Sequence, residues 1–163
     1  MFFYGSTCNH YILRKGKEMQ NYNALKLENQ LCFPLYAASR EVIKQYRPLL
    51  AELDLTYTQY IVMMVFWEVK RLNVKELGKR LILDSGTLTP VLKSLEAKGY
   101  VRRNRLPEDE RVLMVEITDK GEALRDSALG IPKKLADCVK LEPEEARQLY
   151  MILYKILGGL SEE

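Results

Sequence analysis

Three cysteines, Cys8, Cys32 and Cys138, carry the most reactive side chains of this sequence. A thiolate reacts with oxidants and forms disulfides, whereas a buried thiol serves as a small apolar group. The sequence has no CxxC pair and a single histidine, His10, so the ligands of a zinc site are missing. The chemistry to weigh against a structural role is therefore thiol oxidation, and we expect neither a metal nor another cofactor.

A second group of residues, between positions 85 and 93, suits contact with nucleic acid. Ser85, Thr87 and Thr89 are short hydroxyl side chains near the start of a predicted helix, where backbone N–H groups attract phosphate oxygens. Gly86 lets a DNA backbone come close, and Lys93 can neutralise a phosphate. Because serine and threonine are also ordinary helix-capping residues, each position taken alone fits a structural role equally well.

A charged turn supplies a further candidate contact. Residues 107–111, with Asp109 and Arg111, stand between two β-rich runs, Tyr100–Leu106 and Val112–Ile117, and this pattern predicts a β-hairpin. Arg111 can enter a narrow minor groove while Asp109 holds its guanidinium in place. The alternative is a turn whose charges only face solvent.

The helices that would position these groups follow from apolar periodicity and from capping residues. The first is predicted from Leu25 to about Leu53, and Pro34 either kinks it or begins its regular part. Later helices are predicted over residues 58–68, 74–81 and 85–98, then from residue 118 with a break or kink at Pro132, and finally over residues 142–159. The order short helix, turn, helix and hairpin predicts a winged helix-turn-helix, a mainly α fold with a small β-hairpin.

Composition places the chain among ordinary globular proteins. Its 163 residues suit one domain, and 47% of them are apolar. The apolar runs are too short for a membrane span, and the N-terminus has its apolar residues before its charges, the reverse of a signal peptide, so we expect a cytoplasmic protein. Residues 74–111 hold nine basic and six acidic side chains. Their excess of three positive charges equals the net charge of the whole sequence, +3. This segment either touches phosphate or forms a solvated charged face.

Residues 81–118 closely resemble the DNA-binding lobe of MarR-family transcriptional regulators. The LDSGTLTP segment followed by a DER wing is most similar to the OhrR branch of that family, the organic hydroperoxide sensors. Two further segments, LENQLCFPLYAASREV and LTYTQYIVMMVFWE, resemble the same branch, and all three agree in order and spacing. The resemblance covers roughly Leu25 to the C-terminus and implies a repressor that acts on double-stranded DNA as a homodimer.

The resemblance assigns Cys32, the cysteine of the LCF motif, as the thiol that reacts with an organic hydroperoxide. Tyr46 and Tyr57 match tyrosines whose hydroxyls hold the thiolate, with help from the partner subunit, and Tyr36 stands close by on the same helix as Cys32. A tyrosine O–H that donates to sulfur stabilises the thiolate and favours its reaction. The sulfenic acid that forms can then condense with a second thiol.

The second thiol has two alternative sources in this branch. One class uses a low-molecular-weight thiol, and the other uses a resolving cysteine in the C-terminal dimerisation helices of the partner subunit. Cys138 lies in about the right region for the second class, although a structural cysteine in a dimer helix is the alternative. No role is assigned to Cys8.

Two residues depart from the pattern of the branch. Pro34 stands where alanine is more common, and it could change the backbone near Cys32 or expose a helix N-terminus that favours a thiolate. Ser94 follows Lys93 where a second basic residue is common, which implies that one phosphate contact is missing.

The implied organisation has four parts. Residues 1–24 form an extension without clear periodicity, residues 25–55 a dimerisation and sensor helix, residues 56–118 the DNA-binding lobe, and residues 119–163 the C-terminal dimerisation helices. One recognition helix reads only a few base pairs, whereas two helices related by a dyad read an inverted repeat. We therefore expect a MarR-type homodimer whose terminal helices form the interface.

Three functions remain open on the sequence. The first is a redox-switched repressor whose reduced dimer binds an inverted-repeat operator and releases it after oxidation of Cys32. The second is a MarR-family regulator that responds to a small phenolic ligand or serves broader redox or virulence regulation, with Cys32 as a bystander. The third, a thiol peroxidase, lacks a histidine or arginine evidently placed beside Cys32 and a CxxC pair for recycling. We therefore expect a repressor rather than an enzyme.

Overall fold

The computed structural model describes residues 22–106 and 109–160, which form two short 3-10 helices, seven α-helices and three β-strands. The predicted N-terminal extension therefore lies largely outside the described residues, and Cys8 lies outside them too. The chain divides after Ala37 into two compact units.

The described part of the first unit begins with local turns rather than with the predicted long helix. Two 3-10 helices, Tyr22–Leu25 and Leu27–Asn29, precede helix α1 (Cys32–Ala51). The side-chain amide of Asn29 donates to the carbonyl oxygen of Asn23 (2.7 Å). The prediction of one continuous helix from Leu25 was therefore wrong at its start, because side-chain amides compete there for backbone acceptors.

Pro34 is the third residue of α1. In the first turn of a helix the backbone N–H groups have no intrahelical acceptor, so the missing N–H of proline costs no bond there. Of the two alternatives that the sequence leaves open, Pro34 thus begins the regular part of the helix. Pro48 lies inside the same helix, three residues before its end.

Helix α2 (Tyr57–Val69) runs through the core of the second unit. It is apolar on nearly every face, and Val62 and Phe66 have no exposed surface. Thr56 caps the helix in a capping box, since its hydroxyl accepts from the N–H of Gln59 (3.3 Å) and its own N–H donates to Gln59 Oε1 (3.0 Å). The helix thus begins one residue before the predicted start at residue 58.

Helices α3 (Val74–Leu81) and α4 (Ser85–Ala97) form the predicted helix-turn-helix. Asn73 caps α3 and Asp84 caps α4. Each side chain accepts from the backbone N–H three residues later. The turn between the helices packs closely on α3. A Cβ on Gly78 would lie 2.7 Å from a backbone carbonyl oxygen of the turn, so the close approach requires glycine.

A three-stranded antiparallel sheet follows, in the order β1 (Arg71–Asn73), β3 (Asp109–Ile117), β2 (Val101–Leu106). The β2–β3 hairpin was predicted, whereas β1 was missed because three residues carry no periodicity and take their pairing from β3. The second strand of the hairpin begins at Asp109 rather than at Val112. Residues 109–111, predicted to lie in the turn, are therefore part of the strand, next to an irregularity in the β2–β3 register.

Three helices complete the chain: α5 (Asp119–Ala128), α6 (Ile131–Val139) and α7 (Pro143–Leu160). Thr118 caps α5 as predicted, accepting from the N–H of Gly121 (3.1 Å). The predicted interruption near Pro132 is a complete break between α5 and α6. Among the helices of residues 22–106 and 109–160, none has the length and apolar character needed to span a membrane.

Candidate nucleic-acid interface and thiol site

The start of the recognition helix α4 is organised by Asp84. Its carboxylate accepts from the hydroxyl (2.8 Å) and from the N–H (2.9 Å) of Thr87, and these hydrogen bonds lower the pKa of the Asp84 carboxyl. A Cβ on Gly86 would lie 2.9 Å from Asp84 Oδ1, so the absence of a side chain at Gly86 gives this carboxylate room. The cap therefore already places one anion at the helix N-terminus.

The predicted DNA-contact residues Ser85, Thr87, Thr89 and Lys93 are all exposed on α4. Two of their hydroxyls have acceptors within the protein: Thr87 donates to Asp84, and Thr89 donates to the carbonyl oxygen of Ser85 (2.6 Å). A threonine that donates to a DNA phosphate must therefore first give up an internal acceptor. Contact between these residues and DNA stays a prediction.

Ser94 points into the lobe rather than away from it. Its hydroxyl oxygen accepts from the side-chain amide of Gln59 (2.9 Å), which is only 6% exposed, and this bond ties α4 to α2. That one phosphate contact is missing at this position stays a prediction. The half-buried hydroxyl has a structural partner on the side of α4 that packs against the core.

Asp109 and Arg111 are both exposed on β3. Asp109 Oδ1 accepts from the backbone N–H of Arg111 (3.0 Å). The structure thus gives Asp109 a main-chain contact, rather than the predicted contact with the guanidinium. This bond holds the backbone from which the Arg111 side chain projects.

The recognition helix and the wing are joined by an ion pair. Glu96, near the end of α4, accepts from the Nε–H (2.8 Å) and from the backbone N–H (3.0 Å) of Arg103 on β2. The side-chain hydrogen bond from Arg103 keeps the pKa of the Glu96 carboxyl below its usual value. The pair links α4 to β2, the two elements that a DNA groove would contact.

Sequence analysis did not single out three residues beside the start of α4. Lys75, Lys79 and Ile82 line a cavity there, together with Ser85. Ile82 has a φ of +53°, a backbone conformation that is rare for a β-branched residue. Its side chain is also 63% exposed. The only signal in the sequence was the basic excess of residues 74–111.

Cys32, in the first unit, is the first residue of α1 and is exposed. Tyr36 follows one helical turn later on the same face and is 58% exposed. Backbone N–H groups without intrahelical acceptors lie at this end of the helix. Cys138, near the end of α6, is also exposed and lies 3.3 Å from the carbonyl oxygen of Lys134.

Tyr46 and Tyr57, in the second unit, lie against each other with ring centroids 4.8 Å apart. Burial, followed by the neighbouring Tyr57 and Tyr60, raises the pKa of Tyr46 to about 12, and burial also raises the pKa of Tyr57. Both hydroxyls therefore keep their protons at neutral pH and can donate to an anion. The structure brings together the two tyrosines that the resemblance singles out, and it adds Tyr60, whose ring centroid is 5.9 Å from that of Tyr46.

A helix-turn-helix followed by a hairpin, with exposed cationic side chains on both and exposed hydroxyls on α4, defines a winged helix-turn-helix transcriptional regulator. A family profile described as "Transcriptional regulator SarA/Rot" matches residues 44–127. The organic hydroperoxide resistance transcriptional regulator of Bacillus subtilis is 45% identical over 146 residues, which cover 89% of this chain and 99% of that protein.

Solved structures agree with this class. Reduced AbfR bound to DNA superposes with a TM-score of 0.71 at 34% identity, covering 86% of this chain and 98% of AbfR, a protein of Staphylococcus epidermidis. AbfR with its disulfide formed gives a TM-score of 0.59 at 32% identity, covering 83% and 95%. A mutant MarR from E. coli in complex with operator DNA gives 0.73 at 25% identity, covering 85% and 99%. The chain belongs to the MarR family of transcriptional regulators, in the branch of the organic hydroperoxide resistance regulators.

Proposed function

We propose that this protein is a cytoplasmic repressor that binds operator DNA when reduced and releases it after an organic hydroperoxide oxidises Cys32. The observation that carries the proposal is an exposed thiol at the first position of α1, in a chain 45% identical to an organic hydroperoxide resistance regulator. The protonated hydroxyls of Tyr46 and Tyr57 are suited to donate to the thiolate and to its oxidised products.

The reaction at Cys32 is a two-electron oxidation of sulfur. The thiolate attacks the terminal oxygen of the hydroperoxide, an S–O bond forms and the O–O bond breaks. The alkoxide takes up a proton and leaves as an alcohol, and Cys32 becomes a sulfenic acid. A second thiol then attacks the sulfenic sulfur, water leaves and a disulfide forms. Either Cys138 of the partner subunit or a low-molecular-weight thiol supplies that second thiol.

DNA binding uses α4 and the wing. Helix α4 enters the major groove, with Ser85, Gly86, Thr87, Thr89 and Lys93 along its exposed face. Arg111, on a backbone held by Asp109, reaches the neighbouring minor groove.

A homodimer supplies the second recognition helix for an inverted repeat. Large apolar side chains around α7 are exposed in the single chain, and an exposed apolar surface of this extent marks an interface. They are Leu149, Tyr150, Met151, Ile152, Leu153, Tyr154, Leu157 and Leu160. Leu25, Leu27 and Leu31, before α1, are likewise exposed. The segments 25–55 and 119–163 are therefore assigned to dimerisation, and residues 56–118 to DNA.

The proposal is tested with duplex DNA selected from a random pool by the reduced protein. We expect one equivalent of cumene hydroperoxide to weaken binding of this duplex by about 30- to 100-fold, the range typical of coupled sites. Affinity that stays unchanged both without and with an added low-molecular-weight thiol would overturn the redox switch and favour a small-molecule inducer. Multiple-turnover consumption of the hydroperoxide in the presence of a thiol would instead indicate a peroxidase.

Lys93 tests the DNA face by the salt dependence of binding. If Lys93 neutralises one phosphate, Lys93→Ala lowers the slope of log affinity against log salt concentration by about 1. Lys133→Ala, which removes an exposed lysine of α6, serves as the matched control and should leave the slope unchanged. Equal slopes for both variants would remove Lys93 from the interface.

A further inference from the structure

A chain of packed aromatic rings leads away from the Tyr46–Tyr57 pair. Tyr46 also contacts Tyr60, and Tyr60 meets Trp67 edge-on, with centroids 6.0 Å apart. Tyr60 is 3% exposed and Trp67 is 7% exposed, so both rings are enclosed by the core. Because protein interiors are packed as densely as crystals, a ring in this chain cannot shift without displacing its neighbour.

The last ring of this chain is bonded to the start of α5. The indole N–H of Trp67 donates to the carbonyl oxygen of Gly121 (2.9 Å) in a buried hydrogen bond. Gly121 in turn packs so closely on the carbonyl of Tyr100 that a Cβ would lie 2.2 Å from its oxygen. A displacement of Gly121 is therefore passed to Tyr100.

Tyr100 and Thr118 are the residues immediately outside the two strands of the wing. The N–H of Thr118 donates to the carbonyl oxygen of Tyr100 (3.1 Å), and its hydroxyl donates to that of Gly99 (2.6 Å). This clasp holds together the first residue before β2 and the first residue after β3. The angle of the hairpin depends on it.

We propose that Trp67 is a positioning residue of the redox switch. A displacement of the sensing tyrosines passes from Tyr46 to Tyr60 and Trp67 by ring packing. The indole N–H then passes it to Gly121, at the base of the wing. This inference rests on the proposed function. Under the proposed function, the tyrosine hydroxyls donate to a thiolate, and its oxidation replaces a compact anion by a larger group, so those hydroxyls must then move or lose their acceptor. The wing carries Arg111, and a small rotation at the clasp moves it out of register with DNA.

The experiment compares the DNA affinity of reduced and oxidised protein in wild type and in two variants. Trp67→Phe keeps an aromatic ring in the core but removes the N–H that bonds to Gly121. Phe66→Leu, the matched control, alters the adjacent fully buried side chain and leaves the three rings of the chain and the indole N–H in place. The ratio of the oxidised to the reduced dissociation constant is the measured quantity, because a merely structural role lowers stability without changing that ratio.

We expect Trp67→Phe to lower this ratio about five- to tenfold, and Phe66→Leu to leave it within about twofold of wild type. An unchanged ratio in folded Trp67→Phe, beside a normal response of wild type, overturns the inference and leaves the proposed function standing. If the wild-type protein stays bound to DNA after oxidation, the proposed function fails, and the inference about the ring chain fails with it.

A second measurement needs no substitution. Trp67 is the one tryptophan of the sequence, so the intrinsic emission of wild type reports on this side chain alone. We expect the emission maximum or intensity to change when DNA-free protein is oxidised, as the hydrogen bond to Gly121 is strained. Emission that stays constant while the oxidised protein loses its DNA would contradict the proposal, even if Trp67→Phe fails to fold.

Discussion

Cys32→Ser is expected to stay bound to DNA at hydroperoxide concentrations that release the wild-type protein from DNA completely. The substitution replaces a nucleophilic thiolate by a hydroxyl that stays protonated at neutral pH and does not attack the O–O bond. Cys32 is exposed, so the change creates no cavity and should leave the fold intact. The roughly 30- to 100-fold weakening expected for wild type should fall to less than about twofold. A titration of labelled operator DNA before and after oxidation measures it.

Two other thiol variants make this result specific. Cys138→Ser also removes an exposed thiol, and Cys8→Ser removes one from the extension. Neither should prevent the first oxidation step. If Cys138 resolves the sulfenic acid, Cys138→Ser should need an added low-molecular-weight thiol for full release of DNA, whereas wild type should not. A Cys32→Ser protein that releases its DNA as wild type does would show that another group senses the oxidant.

Much of the local structure was predictable because it is decided within a few residues. The caps Thr56, Asn73, Asp84 and Thr118 each accept from an N–H three residues later, and that spacing is visible in the sequence. The recognition helix and the hairpin follow from the same kind of short-range pattern. The candidate DNA-contact residues could be assigned to these elements for the same reason.

Contacts between distant segments could not be predicted in this way. Strand β1 exists because Leu72 pairs with Val115, 43 positions later in the chain. Ser94 lies beside exposed Lys93, yet its hydroxyl binds Gln59 on another helix, and periodicity does not reveal such a partner. The start of α1 was misjudged because Leu27 and Leu31 fit a helical pattern that local amide contacts override.

The sensing site shows the same division. Tyr46 and Tyr57 were selected by resemblance to a family, and their contact confirms only that they lie together. Tyr60 and Trp67 lie in the LTYTQYIVMMVFWE segment, but the resemblance gave them no role, and their proposed role rests on ring packing and one hydrogen bond across 54 residues. A residue that transmits a change need not resemble a residue that senses it. Such positions emerge only when the packing of the core is known.

Gly121→Ala is expected to cause a large loss of stability. A Cβ at this position would lie 2.2 Å from the carbonyl oxygen of Tyr100 and 2.9 Å from Cγ1 of Ile117. The first of these atoms belongs to the backbone and accepts a hydrogen bond from Thr118, so it cannot withdraw without opening the base of the wing. Overpacking of this kind costs about 2–3 kcal/mol of unfolding free energy, which for a chain of this size lowers Tm by roughly 5–10 °C.

Gly130→Ala is the matched control for that measurement. Gly130 has a φ of −78°, and a Cβ there would meet no atom within 4 Å. This variant should be as stable as wild type or up to about 1 kcal/mol more stable, because alanine restricts the unfolded chain. Thermal and urea unfolding must be compared at one protomer concentration, since dimer formation adds to apparent stability. Equal stability of the two variants would mean that α5 does not press on Tyr100, and the clasp at the base of the wing would lose its physical basis.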